Sequence, residues 1–267
     1  MSAHSIKLSV ACLLLLGVAL IFVSEGAEAI DPEWSYETGG DVMSVAISAD
    51  GEYIVASSYD YKLYLFGKDS STPLWSYSEG NGMDSVAISA DGEYIAVGSR
   101  NDKVHLFDKD SSTPLWSYAA DGSIVTVAIS ADGEYIAAGS EDNKVYLFDK
   151  DSGNPLLSYS TGGEVRTVSI SADGEYIAAG SDDYKVYLFD KNGNTLLWSY
   201  TTEGAVRSVA ISPDGEYIAV GSGDKKIYLF DKDSSTPLWS YTTGGSVYSV
   251  TISEDGEYIA AGNSYYD

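Results

Sequence analysis

The sequence predicts an all-β propeller of about six four-stranded blades, the last of them incomplete. Three observations predict it. A phrase of 41 residues recurs along the chain, with its first aromatic marker at Trp34, Trp75, Trp116, Leu157, Trp198 and Trp239. A fixed period of this length marks stacked supersecondary units. Each copy holds four short runs rich in Val, Ile, Tyr, Phe and Trp, separated by turn residues, which is the composition of strands on a packed, pleated surface. After the first 29 residues no stretch has helical periodicity. Stacked β-coils would use shorter repeats and are the weaker alternative.

The elements follow in order within a copy. In the third copy the strands are expected at residues 114–118, 126–130, 135–140 and 144–148. Ala131-Asp132-Gly133 makes the first hairpin, because glycine takes the left-handed position without steric cost. Ser140-Glu141-Asp142-Asn143 makes the second, and Asp149-Lys150-Asp151-Ser152-Gly153 the third. The propeller is expected over residues 33–267. Six W-S-Y-type strands occur, but only five of the K-V-Y-L-F type. The text runs out at Asn263-Ser264-Tyr265-Tyr266-Asp267, where a sixth would begin. Trp34-Ser35-Tyr36 is placed to complete a last blade as its outer strand, although the strand it would pair with is missing. Truncation is the favoured reading, with an exposed sheet edge prone to association.

Residues 1–29 stand outside the repeat. A weakly basic start leads into sixteen uncharged residues, 8–23, and then to the small-x-small sequence Ala27-Glu28-Ala29. That layout predicts a secretory signal peptide cut after Ala29, with an uncleaved anchor as the alternative. Sixteen apolar residues fall just short of a bilayer span. Cys12 is the single cysteine and lies in this segment, so the exported part has no disulfide and no thiolate chemistry. The chain carries a formal charge of −25. Removing Lys7, Glu25 and Glu28 with the leader leaves −24. Such a surface repels nucleic acid. It suits either solubility or a cationic partner. Membrane contact is expected only through an uncleaved N-terminal segment. The expected location is secreted or cell-surface, or periplasmic in a cell with an outer membrane.

Two stretches carry family resemblances. V-R-S-V-A-I-S-P-D-G-E-Y-I-A-V-G-S-G-D-K-K-I-Y-L-F-D, residues 206–231, resembles a WD repeat, with L-F-D where that family often ends in Trp-Asp. V-Y-L-F-D-K-N-G-N-T-L-L-W-S-Y-T-T-E-G, residues 186–204, resembles a pyrroloquinoline-quinone (PQQ)-type propeller repeat with its Trp in the outer strand. Together the resemblances cover about residues 33–267 and both imply a propeller. The WD resemblance implies a buried network linking a loop His, a Ser and the Asp of the second hairpin. Ser99, Ser140, Ser181 and Ser222 are present, as are Asp60, Asp142, Asp183 and Asp224, but Asn101 replaces the remaining Asp and the loop has no His. The network is therefore expected to be incomplete or rebuilt. Quinone-dependent enzymes of the second family use a larger ring, a catalytic Asp and a calcium site, and this chain has no one-off acidic constellation to match.

Catalytic machinery is sparse. Outside the leader the chain has one histidine, His105, at the position of Tyr64, Tyr146, Tyr187 and Tyr228. It is expected to be a strand residue replacing Tyr. A serine triad could form only through it. Asp132 and Glu134 recur in every Asp-Gly-Glu turn and are read as turn residues, not as an acid and base. The Asp108-Lys109-Asp110, Asp149-Lys150-Asp151 and Asp231-Lys232-Asp233 loops place oxygens at alternate positions, as calcium loops do. Each holds a lysine, however, and no bidentate Glu follows. No cofactor is expected, with calcium the weak alternative.

What does not repeat is more telling. In a propeller the blade-to-blade loops and the second hairpins share one face. The position just before the inner strand reads Met43, Asp84, Val125, Arg166, Arg207 and Tyr248. The second hairpins contribute Tyr59, Arg100, Glu141 and Asp182, then Tyr61, Tyr184 and Lys225 at their second variable position. Backbone geometry does not dictate these side chains, so this face is free to recognise something. The sequence thus predicts an exported, non-enzymatic propeller that binds a protein, peptide or glycan there. The alternatives are a quinone- or calcium-dependent oxidoreductase or lyase, and a structural surface or assembly module.

Overall fold

The computed structural model describes residues 32–192, 195–253 and 255–264. The expected signal peptide and residues 265–267 lie outside the described residues. Blade 1 is a four-stranded antiparallel sheet. Its inner strand is Val42–Ile47, followed outward by Tyr53–Ser58, Lys62–Gly67 and the outer strand Trp75–Ser78. Four more sheets repeat this order, and a sixth unit has two strands, Val247–Ile252 and Ile259–Asn263. No helix occurs among the described residues. The predicted fold class is therefore present, as five blades and a partial sixth.

Blades and repeat phrases are out of step. Leu106 pairs with Trp116 across the third and outer strands of blade 2, so each W-S-Y strand closes the blade opened by the preceding copy. Strand bounds shift accordingly. The strands expected at 114–118, 126–130 and 144–148 are Trp116–Ala119, Ile124–Ile129 and Lys144–Asp149, while Tyr135–Ser140 stands as expected.

Burial explains why these runs take these places. Second and third strands such as Tyr135–Ser140 and Lys144–Asp149 are buried almost throughout, because a neighbouring blade covers each of their faces. A continuous apolar run suits a strand buried on both sides. The outer strand Trp116–Ala119 alternates half-buried and exposed positions. The core consequently lies between blades. Val55, Leu63 and Leu65 of blade 1 pack with Met83, Val86, Ile95, Val97 and Phe107 of blade 2.

Three kinds of hydrogen bond recur between neighbouring blades. The indole Nε1 of Trp75, Trp116 and Trp198 donates to the carbonyl of Lys109, Lys150 and Lys232, at 2.7, 2.7 and 2.8 Å. An inner-strand hydroxyl accepts from the next blade, as when Val127 N donates to Ser85 Oγ at 3.0 Å and Val209 N to Thr167 Oγ1 at 3.2 Å. Near the axis, main-chain bonds run from Ala49 N to Ala90 O, Ala90 N to Ala131 O, Ala131 N to Ala172 O and Ala172 N to Pro213 O, all 2.9–3.0 Å. Proline has no N–H, so Pro213 accepts the last bond and cannot pass it on.

The N-terminal segment packs where an outer strand would, although residues 34–36 form no strand and join no sheet, so the expected completion of a last blade is not seen among the described residues. Trp34 Nε1 donates to Lys68 O at 2.6 Å, and its ring lies 5.4 Å from Phe66. Trp75 treats Lys109 and Phe107 the same way, with rings 5.6 Å apart. Trp34 thus occupies the place of an outer strand preceding blade 1. Beside it the blade face is open: Val45 is 65 % exposed, whereas Val86 and Val127 at the same repeat position are each 7 % exposed.

Candidate recognition site

The six residues expected just before the inner strands lie inside them. The pairing of inner and second strands shifts register in all six units, between Val42 and Ser44 and at the equivalent points. The residue skipped each time is Met43, Asp84, Val125, Arg166, Arg207 or Tyr248. Each is therefore the extra residue of a β-bulge, which leaves the ladder and turns its side chain aside. The repeat that conceals chemistry elsewhere here frees one side chain per blade.

The second hairpins add a strained position on the same face. Tyr61, Asp102, Asn143, Tyr184 and Lys225 all have φ between 65° and 72°. Asparagine and aspartate accept this left-handed conformation readily, but a tyrosine or lysine there costs about 1–2 kcal/mol. Tyr61 and Tyr184 are also 47 % and 50 % exposed. Backbone strain of this kind concentrates at functional surfaces.

Polar contacts join part of the predicted set. Arg100 Nε lies 2.9 and 2.8 Å from the two carboxylate oxygens of Asp84. Its guanidinium carbon sits 5.4 Å from the centroid of the Tyr59 ring, and Nη2 donates to the Tyr59 hydroxyl at 3.3 Å. Around the mouth, Arg166 Nε donates to Asp182 Oδ2 at 2.8 Å and also pairs with Glu164. Arg207 Nη1 reaches the other oxygen, Asp182 Oδ1, at 3.5 Å. That oxygen is buried without a hydrogen bond. The Glu141 charge acts on Arg166 from the preceding blade. The chain's only three arginines, Arg100, Arg166 and Arg207, therefore all stand on this face, each against a carboxylate. Met43, Val125, Tyr248, Tyr61, Tyr184 and Lys225 make no side-chain hydrogen bond or ion pair among the described residues and stay outside these clusters.

The expected rebuilding of the buried network is present. Tyr146 and Tyr228 donate their hydroxyls to Asp142 and Asp224 at 2.5 and 2.7 Å, and Tyr64 to Asp60 at 2.6 Å. Tyr187 does the same to Asp183. Burial first, then this bond to a carboxylate, pushes each of these tyrosines well above the usual phenol range. The aspartates also accept from the loop that enters their own blade, as Asp183 does from Gly162 N at 2.7 Å. A tyrosine in the third strand takes the place of a loop histidine.

Blade 2 departs from this pattern, and the sequence reading missed the residue responsible. His105 Nε2 lies 3.0 Å from Glu79 Oε2, and Nδ1 lies 2.7 Å from Ser117 Oγ. Lys103 Nζ donates to Glu79 Oε1 at 2.9 Å. Burial alone would raise the Glu79 carboxyl, but the His105 and Lys103 hydrogen bonds outweigh it and hold it down at about 2. Carboxylate, imidazole and hydroxyl stand in the order of an acyl-transfer triad. However, Ser117 is the outer-strand serine that recurs as Ser76, Ser158, Ser199 and Ser240. The Glu–His pair substitutes for Asp–Tyr as a buried link, with Asn81 bonded to Asn101 at 2.7 Å beside it. The only sequence signal was three exceptions, Glu79, Asn101 and His105, gathered in one copy.

The Asp-Lys-Asp loops are closed on themselves. Asp108 Oδ1 accepts from Asp110 N at 2.9 Å, and Lys109 Nζ pairs with Asp110 at 2.9 Å. Among the described residues no group of three or more His, Cys, Asp or Glu could hold a metal ion, and no helix is long and apolar enough to cross a membrane.

Comparison with known families matches this architecture. The family model PQQ_2, described as outer membrane protein assembly factor BamB, matches residues 59–212, more than half of the chain. The chain belongs to the PQQ_2 family. Overlapping both ends of the PQQ_2 match, the model described as WD domain, G-beta repeat matches residues 32–66 and 194–231. Both resemblances read from the sequence are thus found, and PQQ_2 and WD repeats together point to a role in protein interaction or assembly. No match was found among curated proteins.

Proposed function

We propose that this PQQ_2 propeller is an exported, non-enzymatic binding module that recognises a protein, peptide or glycan on its bulge-bearing face. One observation carries the reading: every unit places its β-bulge on its most variable inner-strand position, Met43, Asp84, Val125, Arg166, Arg207 or Tyr248. A ring of blades holds these side chains in fixed positions, so little conformational entropy is lost when a partner docks. Arg and Tyr at the mouth are residue types that carry binding energy. The family description, an assembly factor for outer membrane proteins, agrees with a protein partner and with a periplasmic or surface location.

The test compares faces. A photo-crosslinking amino acid is placed at Tyr248, or at Thr72 on the opposite hairpins, and the full chain is expressed in its own host. Crosslinks from position 248 that disappear with Arg207→Glu, and are not matched from position 72, support the reading. Equal or absent crosslinking from position 248 overturns it.

A further inference from the structure

A cavity among the described residues opens on the other face, where the sequence repeats almost without change. It has a volume of about 310 Å³ and lies on the axis, lined by Ile47, Ile88, Ile129, Ile170 and Ile211 with the alanines and proline that follow them. This volume sits at the lower end of the roughly 300–1,000 Å³ usual for ligand pockets. Apart from Ser171 the wall's side chains are apolar, and its main-chain groups are largely engaged by the bonds linking Ala49, Ala90, Ala131, Ala172 and Pro213. An occupant is therefore held at the centre chiefly by its apolar surface.

The rim has the opposite chemistry. Each lining alanine or proline is followed by an exposed aspartate: Asp50, Asp91, Asp132, Asp173 and Asp214. The glutamates two residues further on each have a lysine beside them. Lys109 lies 3.4 Å from Glu93, Lys150 3.5 Å from Glu134, Lys191 2.9 Å from Glu175 and Lys232 3.3 Å from Glu216. No ion pair reaches the five aspartates among the described residues. Each is instead fixed by its own turn, as Asp132 Oδ1 accepts from Ser130 Oγ at 2.6 Å and from Glu134 N at 3.0 Å. Those same serine bonds hold Asp50 and Asp214 below the ordinary carboxylate range. The ring is thus a rigid set of anions around an apolar well.

We infer that this axial well is a second docking site, separate from the bulge-bearing face, for a basic protein segment that inserts one large apolar side chain between lysines or arginines. The well sets the anchor's character and the five aspartates set the sign of its flanks. A negatively charged or purely apolar segment meets only half of the site.

The probe is a synthetic peptide, acetyl-Lys-Lys-Phe-Lys-Lys-amide, titrated into the full chain by calorimetry at low salt. Two controls replace its Phe with Gly or its lysines with Glu. The Phe–Lys peptide should bind at least tenfold tighter than either control, and more weakly as salt rises. Ala131→Leu, which narrows the well, should weaken it by a similar factor. Ala90→Leu repeats that test from a neighbouring blade in case one variant misfolds. Arg207→Glu, on the other face, should leave peptide affinity unchanged, which separates this site from the proposed recognition face. Absent binding, equal binding of the Gly peptide, or affinity that survives both leucine variants would overturn the inference.

Discussion

His105 Nε2 lies 3.0 Å from Glu79 Oε2 at a place where four other blades pair a tyrosine hydroxyl with an aspartate. The exchange is coupled across three positions, since Asn101 has replaced the aspartate. His105→Tyr alone would leave the buried Glu79 with Lys103 as its remaining partner and set a phenol against an amide. It should cost about 1–3 kcal/mol. Adding Asn101→Asp rebuilds the ordinary pair, so the double variant should recover part of that loss. Urea unfolding of both single variants and the double variant gives the coupling. Strictly additive effects would show that the two positions act independently.

The same pair sets an acid response. The Glu79 carboxyl stands at about 2 against an ordinary 4.5, with burial opposing the shift and the His105 and Lys103 bonds prevailing. A carboxyl depressed in the folded state stabilises fully above its ordinary value and loses that stabilisation as pH falls through the folded one. Stability should therefore drop between about pH 4.5 and 2, and Glu79→Gln should drop less across that window. Melting temperatures of both proteins from pH 6 to 2 would show it, and parallel curves would contradict it.

Tyr184 sits at φ 71° on an exposed hairpin where blade 3 has Asn143 at φ 68°. Asparagine tolerates this region by bonding to its own backbone. Tyr184→Asn should raise stability by about 0.5–1 kcal/mol. If the bulge-bearing face recognises a partner, the same change should weaken capture at that face. Stability and crosslinking yield measured on one protein would therefore move in opposite directions.

Repetition decided what could be read in advance. The phrase W-S-Y…D-G-E-Y-I-A…K-V-Y-L-F gave strands, turns and blade count, because burial between identical neighbours constrains every copy alike. It could not show that Trp116 closes the blade begun at Met83 rather than opening the next, since a repeat has no intrinsic starting point. The variable positions were visible as exceptions, but their bulges were not, for a bulge is a property of pairing. The ion pairs of Arg166 and Arg207 with Asp182 were hidden for the same reason: one forms within a blade across paired strands and the other between neighbouring blades. The axial well was hidden by its own regularity.

Ser57 shows how a single exception adjusts an interface. Its repeat position is Gly98, Gly139, Gly180, Gly221 and Gly262 in the other units. A Cβ added at Gly139 would lie 2.6 Å from Val165 Cγ1 and 2.7 Å from Thr126 Cγ2, both on rigid β-branched side chains. Ser57 instead faces the repeat position of Val165 filled by Met83, an unbranched chain that adapts its shape. The accommodation is imperfect, because the Ser57 hydroxyl is buried with no hydrogen bond. Ser57→Ala should therefore stabilise by about 1 kcal/mol. Gly139→Ala should destabilise by about 1–3 kcal/mol through overpacking. Gly262→Ala should cost nothing, since a Cβ there meets no atom within 4 Å, and strand glycine is inferior to alanine by about 0.5–1 kcal/mol. Urea midpoints for the three variants would rank Ser57→Ala and Gly262→Ala at or above the parent, with Gly139→Ala below. A destabilising Gly262→Ala would mean that another packed surface covers the sixth unit in solution.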